Sequence, residues 1–527
     1  MLRVALIVDC NEITKWQMDA LDAANDLLRI TLVLSCSNTR TKKNILKNFL
    51  YYILNLFSLK NELTGRLGLK CNDAAVIDFV SIYEGAWQRI PESITAELTK
   101  SKIDLVIKFG MSLLKIDKPL SHFKILSYHH GDPSLFRGRP AGFYELLQGR
   151  SSVGTVVQEL SNKIDAGKVW AVSHSKILHH SYQKTAVNFY SNSKFLLRKA
   201  IVNLARATPI CISADGINYQ LPSNFLVLKF ILLIGFRKTR RIFYGAFYEK
   251  RWNVATVGDA NLTGDLLLDL EGSKVANIAD GYSFYADPFF SADGRKIRLE
   301  ALNSKNGLGE IIELDAVDLS KQRVLLRGGH YSYPFSFLFE NREYLIPEVA
   351  SHSSPCILGI PFGGENKIML KGVENFRVVD PTILEDKGVI YLFCGMNSSA
   401  ADCLYLFYSE AFDKEFSSHP LNPVVIDPTR ARMGGRFVKK NGKIFRFGQD
   451  NSYGYGDGIS ICEIINISTS DYEERIVGNI KVAGASGPHT VDAFNGVSVF
   501  DFYVDKFSLA AWYRRIMPLL LRGLKRR

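Results

Sequence analysis

The sequence predicts two folds in one chain: a doubly wound α/β domain followed by an all-β five-bladed propeller. Three observations predict this. Apolar runs that read as buried strands alternate with segments of helical spacing from the first residues to about residue 207. From residue 252 the texture changes to short β-rich runs separated by Gly, Asp and Asn turns. Within that second region one pattern recurs with a period of roughly fifty residues. With 527 residues the chain is too long for a single core. The expected division is an α/β domain at 1–207, an apolar and basic linker at 208–251, the propeller at 252–505 and a basic amphipathic tail at 506–527.

The opening run, residues 2–9 (LRVALIVD), is continuously apolar and ends in an acid, as a buried parallel strand does. Residues 12–28 have helical spacing and residues 30–35 form a second strand. No Gly-x-Gly-x-x-Gly lies in this unit, so a dinucleotide fingerprint is absent. Residues 42–60 read as a helix with a wide apolar face and lysines at its margins, docked on the domain or lying on a membrane surface. Strands are expected at 75–80, 103–109, 123–128, 153–160 and 169–177, with helices at 91–100, 141–147 and 181–207.

In the second region the recurring pattern begins at Asp287, Tyr333, Asp380, Gly434 and Gly487. Each copy is read as a small or acidic start, an apolar strand, a polar turn and a second strand. Five copies correspond to five blades.

Composition sets further bounds. A content of 47% hydrophobic and 22% charged residues, without low-complexity tracts, is that of a globular protein. The net charge of +12 is concentrated at 39–47, 237–241 and 514–527, and suggests a polyanion, an anionic membrane surface or a phosphorylated ligand. The eight cysteines contain no Cys-x-x-Cys pair, so neither a zinc ribbon nor a thioredoxin-like site is supported, and no metal ligand set is read. They are expected to be small buried hydrophobes in a reducing compartment. Residues 1–10 contain no secretory leader pattern, and no run reaches the ~20 apolar residues that span a bilayer. The run at 225–236 is strongly apolar, followed by basic residues; it lies in a membrane interface or packs between domains. The expectation is a cytoplasmic protein, peripheral on the inner face of a membrane if the tail, rich in Trp, Tyr, Leu and Arg, binds there.

Residues 127–138 (SYHHGDPSLFRG) leave a strand and break at once into a Gly/Pro loop. His129 and His130 therefore fall at a carboxyl strand end, where open α/β sheets bind ligands. Asp165 lies in a loop after the next strand, and a His and an Asp on neighbouring strand ends form a general acid/base pair. With Arg137 and Gly138, the Gly154–Thr155–Val156 strand, and Asp165–Ala166–Gly167, this order and spacing resembles the catalytic domain of the 10-formyltetrahydrofolate-dependent formyltransferases, including the sugar N-formyltransferases.

The resemblance implies that the amine of an acceptor attacks the formyl carbon of 10-formyltetrahydrofolate. It implies that His129 donates to the developing oxyanion, and that Asp165 orients His129 and helps remove the amine proton. The loop of Gly110, Met111, Ser112, Leu113 and Leu114 falls where the family binds folate. Arg137 and Gly138 hold that region or an anion. The family's Asn is replaced by Ser127, a donor of shorter reach. His130 and Asp132 are neighbours that compensate, His130 acts instead through a one-residue shift, or the domain has lost activity.

The propeller pieces around Asp287, Glu348, Asp380, Arg432, Asp450 and His489 resemble the five-bladed domain of plant glucosamine inositolphosphorylceramide transferases and, distantly, furanosidase-type glycoside hydrolases. The resemblance implies acids directed into a central channel around a sugar; the alternative is that they cap turns and hold the blades together. Taken together, the expectation is formyl transfer to an amino sugar, nucleotide-linked, with a propeller that binds or processes a glycan in surface polysaccharide or glycoconjugate biosynthesis. The family's tRNA-reading barrel is not evident, and no nucleic acid is expected as partner. The alternatives are a carbohydrate-binding scaffold with a degenerate formyltransferase domain, and a propeller that acts alone as a glycosidase or glycosyltransferase.

Overall fold

A computed structural model describes residues 1–38, 46–69, 73–258, 260–361, 366–399, 401–513 and 515. The chain forms two compact units, Met1–Arg240 and Arg241–Arg527. The basic segment at 39–45 and most of the basic tail lie outside the described residues.

The first unit is built on β1 (Leu2–Asp9), α1 (Lys15–Asp22), β2 (Leu28–Cys36), α2 (Phe49–Ser58), β3 (Ala75–Phe79), α3 (Glu92–Lys100), β4 (Leu105–Lys108) and β5 (Ile125–His129). It continues with α4 (Phe143–Gln148), β6 (Ser152–Glu159), β7 (Lys168–Lys176), α5 (Tyr182–Ser193), α6 (Leu196–Arg206) and the first part of α7 (Asn224–Phe247). The sheet order is β7-β6-β5-β4-β1-β2-β3, with short strands Glu12–Thr14 and Arg66–Gly68 added beside β1. The pairs β3/β2, β2/β1, β1/β4 and β4/β5 are parallel, and β5/β6 and β6/β7 are antiparallel. Strand order reverses between β1 and β4, and at such a switch point the carboxyl ends diverge and leave a crevice. The buried run of Val4, Ala5, Leu6, Ile7 and Val8 makes β1 the centre of the core, as its unbroken apolar sequence requires.

Two expectations are corrected. The helix expected at 181–207 is two helices meeting at Lys194–Phe195. Side chains near the junction are committed elsewhere: Asn192 Nδ2 donates to Ser175 Oγ and Ser193 Oγ to the Phe189 carbonyl. Such local polar bonds compete with helix continuity. The described helix within 42–60 is only α2; its earlier residues lie partly outside the described set.

The second unit is a propeller of five sheets. The first blade contains Tyr282–Phe290, Lys296–Asn303, Gly309–Asp315 and Gln322–Leu326. The second contains Ser332–Phe339, Arg342–Glu348, Cys356–Gly359 and Lys367–Met369. The third is Val378–Asp386, Val389–Met396, Cys403–Ser409 and the short Ser417–Ser418 and Val425–Ile426. The fourth is centred on Lys443–Gln449, Ile459–Ile467 and Tyr472–Val482. The fifth is made from both ends of the unit: Tyr248–Gly258 pairs antiparallel with Val497–Phe507 along its whole length.

At three blade starts the backbone turns through the left-handed region: φ is 52° at Asp287, 45° at Tyr333 and 49° at Asp380. The ladder register shifts beside each of them. These bulges re-aim the side chains at the start of the strand, and backbone strain of this kind costs about 1–3 kcal/mol per residue.

Candidate functional sites

In the first unit the structure brings His129 and Asp165 together. His129 is the last residue of β5, and its Nδ1 lies 3.3 Å from Asp165 Oδ1. Asp165 sits at φ 48° and its Oδ2 accepts the Gly138 N–H at 2.8 Å. Arg137 donates from Nε and Nη2 to the Ile164 carbonyl at 3.1 and 2.6 Å, and from Nη1 to the Ala214 carbonyl at 3.1 Å. Arg137 and Gly138, expected near the cofactor, thus fix the loop that carries Asp165. A Cβ at Gly138 would meet the Tyr219 carbonyl oxygen at 2.1 Å, so the close approach of strands Phe136–Gly138 and Ile217–Tyr219 needs glycine here.

Nε2 of His129 lies 3.1 Å from the Phe136 carbonyl. Each ring nitrogen therefore faces an acceptor. Behind the ring is a cavity of ≈ 10 Å³, room for about one water, shared with Tyr144 and the buried Glu145. Burial pushes the Glu145 carboxyl up to about 8.

Ser127, two residues before His129 on the same strand, projects from the same face. Its hydroxyl makes one long bond, 3.4 Å to the Lys108 carbonyl. The expected compensating residues do not join this pair, which is a correction. His130 points to the opposite face, ringed by Trp16, Phe189 and Tyr190 at 4.9–5.3 Å between centroids, with Nε2 3.0 Å from Ser193 Oγ. Burial pushes it down to about 3, so it is a neutral core histidine. Asp132 is a turn residue: its Oδ1 accepts the Ser134 N–H at 2.9 Å and hydroxyl at 2.7 Å.

The loop of Gly110, Met111, Ser112, Leu113 and Leu114 lies over the end of β1. A Cβ at Gly110 would fall 2.4 Å from the Val8 carbonyl carbon. Met111 N–H donates to Asp9 Oδ1 at 2.8 Å and Ser112 N–H to Gln88 Oε1 at 2.9 Å. Lys108 was not anticipated. It ends β4, pairs in register with Ser127 and is pushed down to about 8 by burial, with Asp9 and Asp165 pulling the other way. Its signal in sequence is a lysine closing the apolar run IDLVIK.

In the propeller, Asp287, Glu348, Asp380, Arg432 and His489 converge in one buried cluster. His489 stands between two acids, Nε2 3.2 Å from Asp287 Oδ1 and Nδ1 2.5 Å from Asp501 Oδ2. Burial would lower its pKa, but Asp501 and Asp287 outweigh burial and the net shift is upward. Asp287 is pushed up to about 6 by burial, against the pull of His489. Asp380 pairs with Arg432, accepts from Gln449 Nε2 at 3.2 Å, and its N–H donates to Glu348 Oε2 at 3.1 Å. Burial and then the Asp380 charge push Glu348 up to about 8. Asp287, His489 and Asp501 offer ligand atoms within 4.8 Å of one another, close enough for a metal ion. A protonated His489 between two carboxylates satisfies the same charges without one.

Asp450 does not join this group. Its Oδ1 accepts the Ser452 N–H at 3.0 Å and hydroxyl at 2.5 Å, holding the loop that carries Tyr455. Sequence reasoning gave no role to Tyr455, Trp252, Asp501 or Glu300. Tyr455 stacks on Arg432, 5.1 Å from ring to guanidinium carbon, and Trp252 lies 4.2 Å from the His489 ring. Glu300 is buried beside the cluster and its carboxyl is pushed well above the usual range by burial and by Asp287. Asp501 carries no motif of its own; the hairpin of Val491–Phe494 and Val497–Phe507 brings it to His489.

Residues 270–517 match the family described as glucosamine inositolphosphorylceramide transferase 1, N-terminal. Similar relatives include glucosamine inositolphosphorylceramide transferase 1 of Arabidopsis thaliana, 26% identical over 243 residues, 43% of this chain and 31% of that protein. The protein of the same name in Oryza sativa subsp. japonica is 24% identical over 245 residues, 44% of this chain and 32% of that protein. The chain thus spans about a third of the length of these relatives. Among solved structures, glycinamide ribonucleotide transformylase 1 from Symbiobacterium toebii is 17% identical, with TM-score 0.28, over 41% of this chain and 93% of that one. An alpha-L-arabinofuranosidase from Podospora anserina is 11% identical, with TM-score 0.30, over 46% of this chain and 82% of that one.

Proposed function

We propose that the first unit moves a formyl group from 10-formyltetrahydrofolate to the amine of an amino sugar, nucleotide-linked, and that the propeller binds or processes a glycan in glycoconjugate assembly. One observation carries the reading: His129 and Asp165 meet at 3.3 Å at the carboxyl end of β5, beside the strand-order reversal. The donor set fits a formyl carbonyl. Ser127 and His129 share a strand face, and the long 3.4 Å bond of the Ser127 hydroxyl leaves it free to turn to a better acceptor.

The folate supplies an activated formyl carbon. The chain supplies the rest. Asp165 holds the His129 ring through Nδ1. Ser127 and His129 donate to the formyl oxygen as it gains charge on attack by the amine; the amine proton passes toward Asp165, and the bond between the formyl carbon and N10 of the folate breaks as N10 takes up a proton, leaving tetrahydrofolate and the formylated amine. Lys108, at the neighbouring strand end, adds positive charge in place of part of the missing Asn. For Nε2 of His129 to serve the formyl oxygen, the loop carrying Phe136 must give up its 3.1 Å contact. In the propeller, Tyr455, 41% exposed, offers an aromatic ring beside the acids. The name of the matched family, glucosamine inositolphosphorylceramide transferase 1, N-terminal, supports a glycoconjugate as the substrate class.

A second reading, a carbohydrate-binding scaffold with an inactive first unit, is favoured by the acceptors on both His129 nitrogens and the small cavity behind the ring. The test is a screen of nucleotide-linked amino sugars with 10-formyltetrahydrofolate, read as the mass gained by the sugar, beside calorimetric titration of a tetrahydrofolate analogue. Formylation that falls about 10²–10⁴-fold in both His129→Ala and Asp165→Asn supports the first reading. No folate binding and no mass gain leave the second.

A further inference from the structure

Two helices of the first unit are apolar on the wrong side. Along α2 the inner face is buried through Tyr51, while the outer face exposes Phe49 (52%), Leu56 (54%) and Phe57 (75%), following Leu46 at 88%. In α7, Val227 and Phe230 are buried in the core, while Phe225 (78%), Leu228 (49%), Leu232 (66%) and Phe236 (67%) recur outward at helical spacing. A surface helix ordinarily carries polar residues there. The two helices are tied at their N-terminal ends. Asn48 Nδ2 donates to the Pro222 carbonyl at 2.9 Å, Asn224 Nδ2 donates to the Leu46 carbonyl at 2.9 Å, and Leu50 N–H donates to Asn224 Oδ1 at 2.9 Å.

The charges on these helices have one sign. Neither α2 nor α7 contains an acid, and α7 carries the exposed Lys229, Lys238 and Arg240 among its apolar residues. No described helix is long and apolar enough to cross a membrane. An apolar face on a helix with only basic charges is what an in-plane interfacial helix presents.

We propose that the outer faces of α2 and of the 224–240 part of α7 form one surface that seats on an anionic lipid bilayer, with the large apolar side chains entering the headgroup boundary and the basic residues meeting lipid charge. A soluble acidic partner would match the charge but supply no apolar phase for the row of large Phe and Leu side chains, so the bilayer is the occupant that answers both features.

The experiment is vesicle flotation of the full chain, with vesicles of phosphatidylcholine alone or mixed with phosphatidylglycerol. Binding is expected only with the anionic vesicles and falls as salt is raised. The double variants Leu56→Glu/Phe57→Glu and Phe225→Glu/Leu232→Glu are each expected to weaken binding at least about tenfold, and each of Lys229→Gln and Lys238→Gln about fivefold. The side chains substituted are exposed, and circular dichroism together with elution volume confirms that the variants fold. A chain lacking residues 508–527 is expected to keep the greater part of its binding. The proposal is overturned if the full chain stays with the soluble fraction, if the helix variants float as the parent does, or if binding disappears with the tail alone. It is also overturned if the glutamate variants only convert a dimer into a monomer, which would make this face an interface between copies.

Discussion

At the scale of residues, the first unit turns on how His129 is held. Asp165 is held in turn by the Gly138 N–H, and Arg137 clamps the adjoining carbonyl, so the acid arrives at Nδ1 with little freedom. Gly131 sets the other side of the ring. A Cβ there would lie 2.6 Å from His129 Nε2 and 2.8 Å from the Phe136 carbonyl. Gly131→Ala is expected to cost about 1–3 kcal/mol in denaturant unfolding and to lower any formyl transfer, because the ring has nowhere else to go. In the propeller, Glu348 gives a pH prediction. Its carboxyl is raised from 4.5 to about 8 by burial. The unfolded chain therefore gives up this proton more easily than the folded one, and stability is lost as pH rises through that interval. Asp287, raised from 3.8 to about 6, and His489, also raised, have the same sign. The midpoint of propeller unfolding is expected to fall between pH 5 and pH 8, and Glu348→Gln to flatten that fall; an unchanged slope in the variant would refute the assignment. His130 belongs to this scale too. Sequence places it beside His129, but alternation along a strand sends neighbouring side chains to opposite faces, and the aromatic ring around it makes it structural.

At the scale of elements, one side chain ties several blades together. Arg436 donates from Nε to Asp492 Oδ1 at 2.9 Å, and from its terminal nitrogens to the Ser336 carbonyl at 2.5 Å and the Phe290 carbonyl at 3.1 Å. Asp492 also accepts the Phe290 N–H at 2.9 Å. These contacts span the first and second blades, the fourth, where Arg436 lies between its short strands Arg432–Met433 and Val438–Lys440, and the fifth, whose strand Val491–Phe494 carries Asp492. Arg436→Ala leaves a buried carboxylate unpaired and is expected to destabilise the propeller by about 3–5 kcal/mol, measured by guanidinium denaturation. Arg436→Ala/Asp492→Ala is expected to recover part of that loss, because the charge left behind is gone. In the first unit the seven strands β1–β7 were legible because each carries an apolar run bounded by polar or Gly/Pro residues; the short strands Glu12–Thr14 and Arg66–Gly68 carry none. The division between α5 and α6 was not, since the apolar spacing continues across it and Asn192, beside the junction, finds its partner Ser175 only in the folded unit.

At the scale of the whole molecule, closure of the propeller is non-local. The strand Tyr248–Gly258 begins the unit and pairs with Val497–Phe507, which ends it. Leu266–Leu268 adds to the edge of the fourth blade in parallel, beside Tyr472–Val482. A chain ending after residue 496 is expected to lose the near-ultraviolet signal of the propeller and to be cut by protease throughout residues 248–496, because the opening strand is left without its partner. A chain ending after residue 507 is expected to keep both signals. Pairing across such a separation adds loop-closure cost before contacts form, so refolding of the propeller is expected to be slow compared with that of a local helical fold.

The sequence alone determined the two fold classes, since apolar periodicity and a repeated strand pattern are local properties that each element must satisfy by itself. It also marked His129 and Asp165 through their place at expected strand ends, and Asp287 and Asp380 through their place at the start of a repeat. Tertiary structure decided which marked residues meet. His130 and Asp450 were excluded by side-chain direction and by a turn, and Lys108, Tyr455 and Asp501 were added from neighbouring strands or loops. It also decided that α2 and α7 leave apolar faces outward. Composition places leucines and phenylalanines in a helix, but only the packed unit assigns each to core or solvent. A site is made where several elements converge, and convergence depends on register and packing between residues far apart, which no local pattern contains.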